Sequence, residues 1–155
     1  MAPGEIVAVR VYGTPAPQGS KRHVGKGVMV ESSKKVKPWR EAVKAAVLDS
    51  RDGAWGVVDT PVVVRVVFIL DRPKAHYRTG RHAGLLRDNA PAVPARKPDI
   101  DKLVRATLDA LKDAGTYRDD SLVVKLVADK VYAGRDNGPP GAYVTVLDWA
   151  EAGRG

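Results

Sequence analysis

Lys97-Pro98-Asp99-Ile100-Asp101-Lys102-Leu103 opens a helical pattern, and Tyr117-Arg118-Asp119-Asp120-Ser121 follows it. Between them Val104, Leu108 and Leu111 recur at helical spacing, and Gly115 supplies a stop. Asp99 falls where a helix N-cap belongs and Asp101 in the first turn, where the positive end of the helix dipole stabilises ionised carboxylates. The Gly115 turn then presents Asp119 and Asp120 just before a strand. A strand running back beside the helix start would carry one of them toward Asp99 and Asp101. Convergent carboxylates of this kind suit hard cations such as Mg²⁺, with positions left open for a phosphate and water. Two such ions about 3.5–4 Å apart clamp the attacking and leaving oxygens of an in-line displacement. Taken singly, an Asp at a helix start is also an ordinary cap, and an Asp pair before a strand an ordinary solvated turn.

The acidic motif lies within a basic chain. Lys and Arg number 26 against 18 Asp and Glu, a formal charge of +8, which points to a polyanionic partner. Arg10, Lys21, Arg22, Lys26, Lys34, Lys35, Lys37 and Arg40 crowd the first quarter; Arg72, Lys74, Arg78, Arg81, Arg87, Arg96 and Lys97 lead into the acidic motif. Phosphate contacts from such groups release counterions, so binding should weaken steeply with salt. Apolar residues at 44% and charged residues at 28% are ordinary for a globular protein. There are no cysteines, which excludes disulfides and thiolate metal sites. No apolar run approaches the ~20 residues of a membrane helix, and no signal-peptide pattern opens the chain; the expectation is a cytoplasmic protein without membrane association.

The organisation around the motif predicts one domain over residues 1–155. Glu5–Tyr12 reads as a strand, 15–27 as a basic loop, and 28–31 as a short strand within it. Pro38 suits the first residue of a helix whose stripe is Trp39, Val43, Ala46 and Val47, closed by Gly53 and Gly56. Pro61–Leu70 is a β-branched run with one charge, read as a central strand. Residues 71–96 read as a long basic loop, 122–132 and 142–149 as two strands plausibly paired antiparallel, and 151–155 as a frayed tail. The fold class expected is α+β (mixed α/β), with a mixed sheet of about four main strands packed with two helices.

Lys-Pro-Asp-Ile-Asp-Lys-Leu-Val-Arg-Ala-Thr-Leu-Asp-Ala-Leu, then Gly-Thr-Tyr-Arg-Asp-Asp-Ser-Leu-Val, resembles the signature of the RusA family of Holliday junction resolvases, frequent in bacteriophages and prophages. The family pattern is Pro-Asp-x-Asp-Asn-Leu at a helix start, Lys and Asp-Ala-Leu within the helix, and a downstream Asp-Asp. Gly13-Thr14-Pro15, the Trp-bearing helix and Arg72-Pro73-Lys74 also fit. The resemblance implies an Mg²⁺-dependent homodimer, with Mn²⁺ a possible substitute, that nicks two strands of a four-way DNA junction symmetrically. It places the essential carboxylates on Asp99, Asp101 and Asp120, with Asp119 a possible helper. The family's helix lysine falls on Arg105, which keeps the charge and can fork onto phosphate but donates a proton less readily. The family's Asn falls on Lys102. Lys21, Arg22, Lys26, Lys34, Lys35, Lys74, Lys97 and Lys102 are the candidate DNA contacts.

Two other classes compete. One is a junction- or DNA-binding protein whose site is impaired by Lys102 and Arg105; the other is an RNA-directed nuclease. His76 and His82 read as ordinary loop residues, and Trp39, Trp55 and Trp149 as core or interface anchors rather than base platforms. Tyr117 reads as packing beneath the acidic turn. The 13–21 segment lacks the Walker spacing, so no nucleotide cofactor is expected.

Overall fold

A computed structural model describes residues 4–19, 22–23, 29–30, 34–51 and 56–153. Four strands form one sheet: β1 (Glu5–Tyr12), β4 (Val62–Leu70), β5 (Val123–Tyr132) and β6 (Gly141–Asp148), in the order β1-β6-β4-β5. Only β4 and β5 run parallel; β6 is antiparallel to both β4 and β1. Strands β5 and β6 are therefore not the antiparallel pair expected from the turn between them, because β4 lies between the two and pairs with both. A separate two-stranded ribbon joins β2 (Arg22–His23) and β3 (Met29–Val30). Two helices, α1 (Val36–Arg51) and α2 (Ile100–Asp113), complete an α+β domain with a mixed sheet.

The central place of β4 accounts for its composition. It is hydrogen-bonded on both edges, and Val62, Val63, Val64, Phe68 and Ile69 are fully buried, so a run of β-branched and aromatic residues is what the position demands. Val64, Val66 and Phe68 join the core shared with the helices, which bury Val36, Trp39, Val43 and Val47 of α1 and Leu103, Val104, Ala106, Thr107, Ala110 and Leu111 of α2. Leu108, expected on the buried stripe, is only partly covered, since α2 turns its Leu103/Thr107 edge inward instead. The two helices are tied by a buried hydrogen bond: the Trp39 indole donates to the Thr107 hydroxyl at 3.3 Å, and that hydroxyl donates to the Leu103 carbonyl at 3.0 Å. Gly141 permits the close approach of β6 to β1, for a Cβ there would stand 1.9 Å from the Val11 carbonyl oxygen.

Three further local readings differ from the structure. Helix α1 begins at Val36, so Pro38 is its third residue; the N–H it lacks is still one of the four that a helix start leaves unpaired. The 71–96 segment carries 3₁₀ turns at Lys74–His76 and Gly80–His82 and an antiparallel bridge between Tyr77 and Leu86, so its backbone is tied to itself rather than open. At the other end, Trp149–Gly153 is a π-helical turn, with the Trp149 N–H donating to the Pro61 carbonyl at 3.0 Å, while the last two residues of the tail expected over 151–155 lie outside the described residues. Among the described residues no helix is long and apolar enough to cross a membrane.

Candidate active site

Asp99 is the N-cap residue of α2 by its extended backbone, but its carboxylate makes no capping hydrogen bond. Its charged neighbour is Lys102, whose Nζ lies 3.7 Å from Oδ2. Asp101, in the first turn, and Arg105, one turn on, are both exposed on α2. The segment before the helix is fixed from the sheet: Lys130 on β5 donates from Nζ to the carbonyls of Arg96 at 2.7 Å and Pro98 at 2.9 Å. From the other side, the Gln18 N–H donates to the Lys102 carbonyl at 3.0 Å, so the 14–18 loop is bound to the same helix end.

After α2 the chain reverses at Gly115, whose φ of 77° is the left-handed conformation a helix stop requires. It then forms a 3₁₀ turn at Asp120–Leu122, for which Asp119 is the cap. Both oxygens of Asp119 are engaged: Oδ2 accepts from the Ser121 N–H at 3.0 Å and Oδ1 from Lys112 at 3.2 Å. The Ser121 bonds, then the Lys112 ammonium, hold the Asp119 carboxyl well below the usual carboxylate range. The bond to Asp119 in turn raises the Lys112 ammonium.

Asp120 is in a different environment. Its Oδ1 is buried and has no hydrogen-bond partner among the described residues. Burial first, and the charge of Asp109 second, push its carboxyl above the ordinary range; Lys112 acts the other way. Beneath it lies Tyr117, 1% exposed, whose hydroxyl donates to the Leu108 carbonyl at 2.9 Å. Burial, then the Asp120 carboxylate, keep that phenol protonated far beyond its usual range. Tyr117 thus packs under the acidic turn.

The structure therefore sets Asp120 against Asp109 rather than against the helix start. Asp109 is eight residues beyond Asp101, about 12 Å of helical rise. Among the described residues, Asp99, Asp101 and Asp120 do not form a group tight enough to hold one metal ion by themselves. What joins them is α2, with Asp99 and Asp101 at its start, Arg105 next and Asp109 after it, and Asp120 flanking its second half. Of the candidate DNA contacts, Lys34, Lys35, Lys74 and Lys97 are exposed and Lys102 is half-buried. Lys21 and Lys26 lie outside the described residues, and Arg22 is described for its β2 backbone alone. Asp109 and Lys130 were not singled out from the sequence. Asp109 had a usable signal, its place four residues after Arg105 on the same helix; Lys130, which bonds only to backbone carbonyls, had none.

Comparison with known proteins identifies the family of the chain. The family model for endodeoxyribonuclease RusA matches residues 12–146, a span that includes both helices, β4, β5 and the whole carboxylate region. An uncharacterised protein of Bacillus subtilis (strain 168), YqaN, is 31% identical over 137 residues, covering 83% of this chain and 89% of YqaN. The chain belongs to the RusA family of endodeoxyribonucleases, enzymes that act on branched DNA and resolve Holliday junctions.

Proposed function

We propose that this protein is an Mg²⁺-dependent homodimeric nuclease that resolves four-way junctions by paired symmetric nicks, in recombination, repair or phage DNA processing. The observation that carries the reading is Asp120, whose buried Oδ1 finds no hydrogen-bond partner among the described residues, with Asp99 at the start of α2 making no capping bond. An orphaned carboxylate oxygen fits a hard cation, and Mg²⁺ is commonly held by one or two carboxylates with substrate phosphate completing its shell. By the family resemblance Asp99, Asp101 and Asp120 would hold it, with Asp119 beside Asp120 and Mn²⁺ as the alternative ion; because the three do not close on one ion by themselves, phosphate and water oxygens would complete its shell. Bound there, the ion supplies Lewis acidity at the phosphate and an acidified water.

The remaining chemistry belongs to the chain. Arg105, permanently charged and exposed next to Asp101 on α2, offsets the negative charge that grows on the phosphorus oxygens. The products carry 5′-phosphate and 3′-hydroxyl ends. Lys21, Arg22, Lys26, Lys34, Lys35, Lys74 and Lys97 supply phosphate contacts, which makes binding salt-sensitive. A two-fold dimer matches the two symmetry-related scissile phosphates of a junction. The test is a labelled immobile four-way junction incubated with Mg²⁺, beside Asp101→Asn. Absence of paired nicking by the wild type, or equal nicking by the variant, sinks the reading.

One observation favours a second reading, a junction-binding protein with an impaired site: the Lys102 ammonium stands 3.7 Å from Asp99, where it competes with a cation. Lys102→Asn combined with Arg105→Lys separates the two. Cleavage gained from zero identifies the impaired form.

A further inference from the structure

Beside Asp99 lies a cleft of about 320 Å³, between the 14–17 loop, the exit of β4 and the segment leading into α2. Its floor is Tyr132, from the end of β5, and above that ring Arg72 is clamped in one orientation. The guanidinium stands 4.1 Å over the ring centroid, donates to the Pro91 carbonyl at 2.7 Å and lies 3.2 Å from Nδ1 of His76. His76 itself meets the Tyr132 ring edge-on at 5.5 Å. With Arg72 as donor, Nδ1 is the acceptor and the imidazole is neutral, in keeping with the burial and the nearby Arg72 and Arg96 charges that lower its pKa. A planar cation stacked on an aromatic ring and fixed by two further contacts is a rigid platform of the kind on which bases stack. The other walls are largely proline, and the rim carries Arg96 and Lys97, both exposed, with Asp71 the one carboxylate lining it among the described residues.

We propose that this cleft holds one unpaired nucleotide of the branched substrate. Its base lies against the Arg72–Tyr132 stack, and its phosphate lies at Arg96 and Lys97. The volume is at the lower end of small-molecule sites, the scale of one nucleotide and too small for a base pair. The charge balance favours an anion, and the apolar walls favour a flat ring within it. A branch point provides such a base at low cost, because unstacking is least expensive where pairing is already interrupted. Pro98 lines the cleft and is bonded to Asp99, so a strand anchored here continues directly toward the carboxylates. The inference takes its substrate class from the nuclease reading, and adds that the enzyme grips an extruded base beside the cut.

The test measures binding in EDTA, where nothing is cleaved. Immobile four-way junctions are made with a single abasic site at successive positions around the branch, and their affinities are compared with the intact junction. An abasic site at one position should weaken wild-type binding about tenfold, within the range for one stacked base. Arg72→Ala should bind the intact junction about tenfold more weakly and be indifferent to that abasic site. Thr14→Trp, which fills the cleft from an exposed loop position, should behave likewise and keeps the test decisive should Arg72→Ala fold poorly. Uniform wild-type affinity across the abasic series, or variants that still discriminate, overturns the proposal, and so does failure to bind the junction at all. Discrimination without Mg²⁺-dependent nicking leaves the cleft standing and removes the nuclease mechanism. Nicking without discrimination does the reverse.

Discussion

Lys130 donates from its ammonium to the carbonyl of Pro98 at 2.9 Å, and to that of Arg96 at 2.7 Å. A charge on the edge strand of the sheet thereby fixes both sides of Lys97, two residues ahead of Asp99. Hydrogen bonds to charged groups contribute about 1.5–3 kcal/mol when well covered, and Lys130 is half-buried, so the lower value is expected. Lys130→Met should lose about 1.5 kcal/mol of stability. Its larger effect should be on turnover, because displacing a reacting group by about 1 Å can cost about 10²-fold. The expected signature in junction cleavage is a fall in kcat at nearly constant KM, partly restored by Lys130→Arg. A rise in KM with kcat preserved would make Lys130 a DNA contact instead.

Asp120 is destabilising in its ionised form. Burial and Asp109 raise its pKa in the folded state above the unfolded value, near 3.8. A raised folded pKa gives a contribution that is complete below the unfolded pKa and is lost as pH rises through the folded one. At neutral pH the wild type therefore carries a penalty that Asp120→Asn removes. The variant should melt at a higher temperature at pH 7, the gain should vanish toward pH 3.8, and nicking should be abolished. Mg²⁺ should raise the melting temperature of the wild type and leave that of the variant unchanged, since only an ion bound to the folded state stabilises it. Urea melts across pH, with and without Mg²⁺, check each part.

The contrast between Asp120 and Lys130 marks how far the sequence was legible. Strands β1, β4 and β6 and helix α2 were readable because period and punctuation agree: β-branched runs, Pro61 ahead of β4, Asp99 before α2 and Gly115 after it. The carboxylates were readable as residues, but not in their pairing. Which carboxylate faces Asp120 depends on how α2 is rotated against the sheet, and that is decided by burying Leu103 and Thr107, not by charge. Lys130 was invisible because its partners are carbonyls, which every residue has. The 74–76 and 80–82 turns were invisible for a similar reason: three residues are too few to show a period.

Thr107 links the two helices through one hydroxyl, which accepts from Trp39 at 3.3 Å and donates to Leu103 at 3.0 Å. Both Thr107 and Trp39 are essentially inaccessible to solvent. Thr107→Val keeps the shape and leaves the indole N–H unpaired in the core, which costs about 1–3 kcal/mol. The folded fraction should still bind and nick junctions at the wild-type rate, because the hydroxyl faces the core and not the acidic edge of α2. Denaturant unfolding with an unchanged slope and a lower midpoint is the expected record. A variant as stable as the wild type would mean the indole finds another acceptor.

Lys102 is the residue whose removal should improve the enzyme. Its ammonium and the Asp99 carboxylate are 3.7 Å apart, with side chains 39% and 47% exposed, a surface pair worth about 0–1 kcal/mol. Stability should therefore hardly change in Lys102→Asn. What changes is competition at Asp99, where an ammonium 3.7 Å from Oδ2 repels a second cation. The variant should reach half-maximal nicking at a severalfold lower Mg²⁺ concentration. It should also bind junctions with a salt slope shallower by about 0.9 if Lys102 contacts a phosphate. The two effects are separable by titrating Mg²⁺ at constant ionic strength. Should the variant need more Mg²⁺ than the wild type, Lys102 would be supporting the Asp99 site rather than obstructing it, and its place 3.7 Å from the carboxylate would be part of the machinery.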